Sequence, residues 1–357
     1  MAEIVVSAEG SAYPVVVERG LAVKLGAGLK EAVDGKLLVI ADEHTAPLLG
    51  EALAADAGAA LFVAPAGEAT KAFDQLERAC AAAADAGLDR GSTIVGVGGG
   101  VVGDLAGVVA AVYMRGIGLV HVPTTLLAMV DSAIGGKAAV NLPQGKNLVG
   151  AFKPPQAVYI DPDLLAGLPP REYLSGLAEV LKYSMIADEQ LYASLLANRQ
   201  KVLARDLDLV TQVVATCCAI KAGVVSRDEH EGGERAILNY GHTFGHALEA
   251  ATDYGRFTHG EAISVGMEVA AAIGVEVGAT PADVLGQQAE LLDAYGLPKS
   301  APGAATADAV EAAITHDKKS RAGETPWVLL EALGRATPGH AVPADIRRRF
   351  IGAALES

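Results

Sequence analysis

Aromatic side chains make up only 4% of the 357 residues, although 51% are hydrophobic. The core is therefore expected to be built from Ala, Val, Leu and Ile, in a chain long enough for two domains. Cysteine is equally scarce. Cys80, Cys217 and Cys218 are odd in number and form no C-x-x-C, which argues against a disulfide framework and suits a reducing cytoplasm. Basic charge is in short supply, with 28 Lys and Arg against 43 Asp and Glu and a net charge of −15. That balance excludes non-specific nucleic-acid binding, so an anionic ligand needs a local basic cluster. The opening M-A-E-I has neither a basic region nor an apolar run, and no secretory leader is expected. What is plentiful is glycine, 41 residues, which points to many tight turns and close backbone approaches.

Three of the eight histidines fall between Asn239 and Glu261, in N-Y-G-H-T-F-G-H-A-L-E-A-A-T-D-Y-G-R-F-T-H-G-E. His242 and His246 share one face of a helix by their spacing. His259 follows a turn at 253–255, with Glu261 two residues on. An i,i+4 histidine pair alone is most simply a packed, hydrogen-bonded core pair. A third histidine so close tips the reading towards a divalent metal such as zinc, held by imidazoles and a carboxylate with one position left open.

The first half alternates strand and helix patterns. Residues 3–8 and 12–18 read as a hairpin, and 36–43 (K-L-L-V-I-A-D-E) as a buried parallel strand ending in Asp42 and Glu43. A strand at 60–64 leads into P-A-G-E-A-T-K and an Ala-rich helix. Next, S-T-I-V-G-V-G-G-G-V-V-G-D-L-A-G (92–107) places Gly98, Gly100 and Gly103 in G-x-G-x-x-G, after a strand and opening a helix. The acidic residue expected about 20 positions on is missing. We read a nucleotide loop that departs from the ordinary Rossmann pattern, with Asp42 the better partner for ribose hydroxyls. After a strand at 118–123, Lys137 and Lys146 sit beside glycines, and phosphate-binding lysines and solvated turn lysines fit that stretch equally.

From about Pro169 strand signals stop and helical patterns take over. Glu179 and Lys182 have the spacing of a surface ion pair, but apolar residues surround them on every side, so a pair facing a cleft is expected. Between Leu209 and Ser226 the one charge is Lys221. With Gln212 and hydroxyl side chains, that rules against a membrane span and for a buried helix with one functional lysine. The charge run at 315–324 reads as a solvated loop.

Taken in order, G-G-G-V-V-G-D (98–104), P-T-T-L-L-A-M-V-D-S-A-I-G-G-K (123–137), G-K-N (145–147), S-G-L-A-E-V-L-K-Y (175–183), N-Y-G-H-T-F-G-H-A-L-E (239–249) and H-G-E-A (259–262) resemble the 3-dehydroquinate synthase family across nearly the whole chain. The resemblance implies an α/β N-terminal Rossmann-like domain with a mostly parallel sheet at 1–170, an all-α C-terminal domain at 171–357, and an active site in the cleft between them. It implies NAD and Zn2+ or Co2+ as cofactors in a cytoplasmic homodimer. The reaction implied turns 3-deoxy-D-arabino-heptulosonate 7-phosphate into 3-dehydroquinate and phosphate, early in aromatic amino-acid biosynthesis.

Carried over by motif, the metal ligands are Glu179, His242 and His259, and His246 becomes a substrate contact. NAD falls to Asp42, Glu68, Lys71, Gly100, Val101, Val102, Gly103, Asp104, Thr124, Thr125, Lys137 and Lys146. Lys137, Asn147, Asn239 and His246 surround the substrate phosphate, with Arg115 reaching in from a second subunit. Lys221 and Arg235 pair with the carboxylate, Asp131 and Lys182 touch ring hydroxyls, and either Lys318 or Lys319 points into the site. Gly167 stands where the family commonly has a threonine that hydrogen-bonds NAD. Alternatives are a sugar-phosphate cyclase with another product, a metal-dependent polyol dehydrogenase, for which the Lys and Arg set is superfluous, and a nucleotide-sensing module, which has no use for metal ligands.

Overall fold

The computed structural model describes residues 1–8, 11–33, 35–315 and 325–356, so Lys318 and Lys319 lie outside the described residues. It divides into two compact units. One comprises Met1–Leu168 with Leu207–Glu229, the other Pro169–Asp206 with His230–Ser357.

In the first unit β1 (Ala2–Ala8) and β2 (Ser11–Val17) form the expected antiparallel hairpin. β3 (Leu37–Asp42), β4 (Ala60–Ala64), β5 (Thr93–Gly98) and β6 (Gly118–Pro123) match the strand patterns read from sequence. Three strands were not anticipated. β7 (Lys137–Leu142) and β8 (Gly145–Phe152) pair as a separate hairpin, and β9 (Ala157–Ile160) joins the main sheet. The seven-stranded sheet runs β1-β2-β9-β6-β5-β3-β4, parallel everywhere except β1–β2.

β3 and β5 are buried on both faces, which is why they read as unbroken apolar runs. Leu37, Val39 and Ala41 pack into one core with Leu25, Leu29 and Leu53. Leu38 and Ile40 pack into the other with Val102, Leu105 and Val109 from the Gly100–Val112 helix. A slip of one residue would exchange these sets, so the alternation fixes register. β4 lies on one side of β3 and β5 on the other. The carboxyl ends of β3 and β5, bearing Asp42 and Gly98, therefore flank the topological switch point where open α/β sheets bind ligands.

The Leu207–Arg227 helix corrects the expected division at residue 170. It belongs to the first unit, packed against β1, β2 and the short Ala128–Ser132 helix. Its mean hydropathy of 1.6 is high enough, and its length sufficient, to cross a membrane, but half of that window is buried by its neighbours. The reason is geometric. Its apolar face completes the surface left open where β1 and β2 add to the sheet, a contact between parts of the chain too far apart for local pattern to reveal.

The second unit is helical, as expected, but not purely so. β10 (Trp327–Ala332) and β11 (Arg335–His340) form an antiparallel hairpin. Trp327 to Leu330 are all buried, so no polar alternation marks them as a strand.

Candidate active site

Three helices of the second unit converge. Pro170–Ala187 carries Glu179 and Lys182, His242–Ala251 carries His242 and His246, and His259–Glu276 begins with His259. Two glycines let their backbones meet. A Cβ on Gly266 would lie 1.9 Å from the carbonyl oxygen of Gly241, and one on Gly260 would lie 2.1 Å from that of Ser175. The turn before His259 uses left-handed Asp253 and Tyr254. Thr258 and Glu261 then close a capping box at the helix start. Glu261 also accepts from Arg171 at 2.7 and 2.9 Å. Thus Glu261, the carboxylate nearest the histidines in sequence, is spent on the cap.

The carboxylate that reaches both His242 and His259 is Glu179, fully buried. Its Oε1 lies 3.2 Å from His259 Nε2 and 3.4 Å from His242 Nε2. Ligand atoms of Glu179, His242 and His259 all fall within 4.8 Å of one another. His246 presents its ring edge to His242 at a centroid distance of 5.1 Å, and groups instead with Glu249 and His259. His242 Nδ1 lies 3.0 Å from the Tyr240 carbonyl oxygen, so as an N–H donor there it leaves Nε2 free to coordinate. Burial, with help from Lys182 and the other two rings, holds His242 well below the ordinary histidine pKa. Burial pulls His259 down as well, but hydrogen bonds to Glu179 and Glu249 outweigh it and raise the group to about 10. One carboxylate and two imidazoles, with both Nε2 atoms turned to the buried Glu179 carboxylate, fit a divalent metal with an open position.

Lys182 pairs with Glu179 and donates to the Leu238 carbonyl at 2.7 Å. That bond ties it to the Glu234–Asn239 turn, which bears buried Arg235 and Asn239, the latter donating to Glu231.

In the first unit the expected nucleotide residues gather around the glycine turn. Gly100 opens the Gly100–Val112 helix, so Gly100, Val101, Val102 and Gly103 supply its first backbone N–H groups. Thr124 N donates to the Gly98 carbonyl, and Thr125 Oγ1 accepts from Ala128 N. Buried Lys71 bridges the Asp104 carboxylate and Asn147 Oδ1. Burial raises the Asp104 pKa despite Lys71. Glu68 accepts from Asn141 at 2.6 Å and lies 3.2 Å from Lys146. Lys137 is exposed at the start of β7. Asp42 Oδ1 is already occupied by His44 N, Thr45 N and Thr45 Oγ1, at 3.0, 2.8 and 2.9 Å. A ribose contact would fall to Oδ2.

Lys221 also belongs here, not with the helical unit as expected. Its Nζ donates to Asp131 Oδ1 and to the Asp131 carbonyl, both at 2.6 Å. Arg115 stands apart, exposed and left-handed, with no hydrogen bond or ion pair to a described residue.

One residue was missed altogether. Glu249 is buried, 3.3 Å from His259 Nδ1. Its signal was present: His242, His246 and Glu249 are spaced i, i+4, i+7, on one helical face.

Fold and site define a chain with a doubly wound dinucleotide-type unit and a helical unit bearing three donors that could hold a metal. The chain matches the family descriptions 3-dehydroquinate synthase N-terminal over residues 61–175 and 3-dehydroquinate synthase C-terminal over residues 176–320. A 3-dehydroquinate synthase of Acidithiobacillus ferrooxidans is 43% identical over 340 residues, covering 94% of this chain and 93% of its own. That of Geobacter metallireducens is 45% identical over 328 residues, covering 90% and 91%. The chain belongs to the 3-dehydroquinate synthase family. Among solved structures, 2-deoxy-scyllo-inosose synthase complexed with carbaglucose-6-phosphate, NAD+ and Co2+ superposes with a TM-score of 0.90 at 28% identity, covering 99% of this chain and 100% of its own. The 2-epi-5-epi-valiolone synthase of Streptomyces hygroscopicus, with NAD+ and Zn2+ bound, gives 0.85 at 28%, covering 96% of each chain.

Proposed function

We propose that the chain is an NAD- and divalent-metal-dependent lyase. It converts 3-deoxy-D-arabino-heptulosonate 7-phosphate to 3-dehydroquinate and phosphate, by transient oxidation, β-elimination, reduction, ring opening and aldol closure. The convergence of Glu179, His242 and His259 carries this reading, in a chain 43–45% identical to named synthases.

Glu179, His242 and His259 hold the metal, zinc or cobalt. The glycine turn with Asp42, Glu68, Lys71, Asp104, Thr124, Thr125, Lys137 and Lys146 holds NAD. When bound, the metal supplies Lewis acidity and NAD a reversible hydride acceptor, so no net redox change occurs. In the second unit, Asn239 and His246 orient the substrate phosphate, Arg235 the carboxylate and Lys182 a ring hydroxyl. In the first unit, Lys137 and Asn147 serve the phosphate, Lys221 the carboxylate and Asp131 a hydroxyl. These side chains act by fixing a multiply charged substrate as charge shifts within it. The enzyme is cytoplasmic and works as a homodimer in which Arg115 serves the neighbouring subunit. Its lack of a hydrogen bond or ion pair among the described residues supports this, as do exposed Val112 and Met114 beside it.

Phosphate release from the seven-carbon substrate, with NAD present and no accumulation of NADH, is the expected result. NADH building up on a polyol without phosphate release would refute the reading. A cyclase with another product is the second reading, favoured by the superposition on two such enzymes. Product analysis by NMR separates the two.

A further inference from the structure

Glu249 is hard to explain as a structural residue. It is 8% exposed and lies in the last turn of the His242–Ala251 helix, where the negative end of the helix dipole disfavours a carboxylate. Burying a charge there costs stability unless a specific partner offsets it. One such partner is His259, whose Nδ1 is 3.3 Å from Glu249 Oε2 while its Nε2 faces Glu179 at 3.2 Å. The ring is gripped at both nitrogens.

We propose that Glu249 is a positioning residue that fixes the tautomer and orientation of His259, so that Nε2 presents its lone pair to the metal. A neutral imidazole carries one proton. An acceptor at Nδ1 keeps that proton on the far side of the ring, and a charged acceptor makes Nε2 a stronger donor. For His242 the Tyr240 carbonyl fills the same place, at 3.0 Å, so both histidines of the cluster are backed by an oxygen. The inference rests on the metal-bearing reading of Glu179, His242 and His259, and its test separates the two.

The wild type and the variants Glu249→Ala, Glu249→Gln, Glu179→Gln and His246→Ala are stripped with chelator and checked for unchanged circular dichroism and metal-free melting. They are then titrated with Zn2+ and Co2+ against a chromophoric chelator, and the cobalt absorption spectrum is recorded. Glu249→Ala should bind metal about 10–100-fold more weakly, as loss of an outer-shell partner typically does, with a shifted cobalt spectrum. Glu249→Gln keeps an acceptor oxygen and should recover part of that loss. Should the alanine variant fail to fold, the glutamine variant's spectrum and affinity carry the test. Glu179→Gln should lose more than either, and His246→Ala should bind like wild type. Wild-type affinity and an unshifted cobalt spectrum in both Glu249 variants, beside loss in Glu179→Gln, would overturn the positioning role and leave the metal site standing. Equal loss in Glu249→Ala and His246→Ala, with Glu179→Gln intact, would put the metal on the Nδ1 side with Glu249 as a direct ligand, overturning both. No metal binding by the wild type would overturn both as well.

Discussion

Lys182 forms an ion pair with Glu179 one helical turn before it, and both side chains are sealed from solvent, at 1% and 0% exposure. A pair this deep is costly to break from one side, because the remaining charge has no water to turn to. Lys182→Met should therefore destabilise the metal-free protein by about 3–5 kcal/mol. Added metal should restore part of the loss by supplying the missing positive charge. Urea unfolding with and without metal measures both. Equal stability of the two proteins without metal would show that His259, 3.2 Å from Glu179, suffices to hold its charge.

The roles of His242 and His246 separate by metal content. His242→Ala removes a ring whose Nε2 faces Glu179, and should purify with little metal. His246→Ala should retain near-stoichiometric metal yet lose turnover and substrate affinity, by about 1.5–3 kcal/mol as for a charged hydrogen bond. Elemental analysis of both variants decides, and equal metal loss would make the i,i+4 pair the ligand set.

Lys221→Met should weaken substrate binding by about 1.5–3 kcal/mol and leave NAD affinity unchanged. It also strips Asp131 of its ion-pair partner, so some loss of melting temperature is expected. A lowered melting temperature with unaltered kinetic constants per folded molecule would reduce Lys221 to a structural role.

His121 sits buried on β6, and burial depresses its pKa to about 4. The unfolded chain, with an ordinary value near 6.5, binds the proton more readily. The resulting stability is thus complete above pH 6.5 and is lost as pH falls towards 4, amounting to about 3 kcal/mol at most. His121→Gln should flatten the pH dependence of unfolding in that window. Identical profiles for the two proteins would show that the ring already titrates normally in the folded state.

Much of the fold was legible in the residues. β3 and β5 announced themselves because both faces are buried, and Gly98 to Gly103 because the strand runs straight into a helix. Glu179 and Lys182 stood out because a charged pair on an otherwise apolar helix needs a reason to be there. Local patterns of this kind are set by backbone period and burial, and the sequence by itself determined them.

Other features depended on contacts between distant segments. Spacing put His242 with His246 and left Glu261 as the nearby carboxylate, although Thr258-x-x-Glu261 is a local capping-box signature; only packing joined Glu261 to Arg171 and brought Glu179 to His242 and His259. The Leu207–Arg227 helix reads as helical from its own residues, yet its place beside β1 and the Lys221–Asp131 pair is decided by an apolar face found far away in sequence. Glu249 shared a helical face with two histidines, but nothing in that spacing says which nitrogen of which ring it meets. Distance in space is the sum of many backbone turns, and only close packing at glycines such as Gly260 and Gly266 brings those atoms within reach of one another.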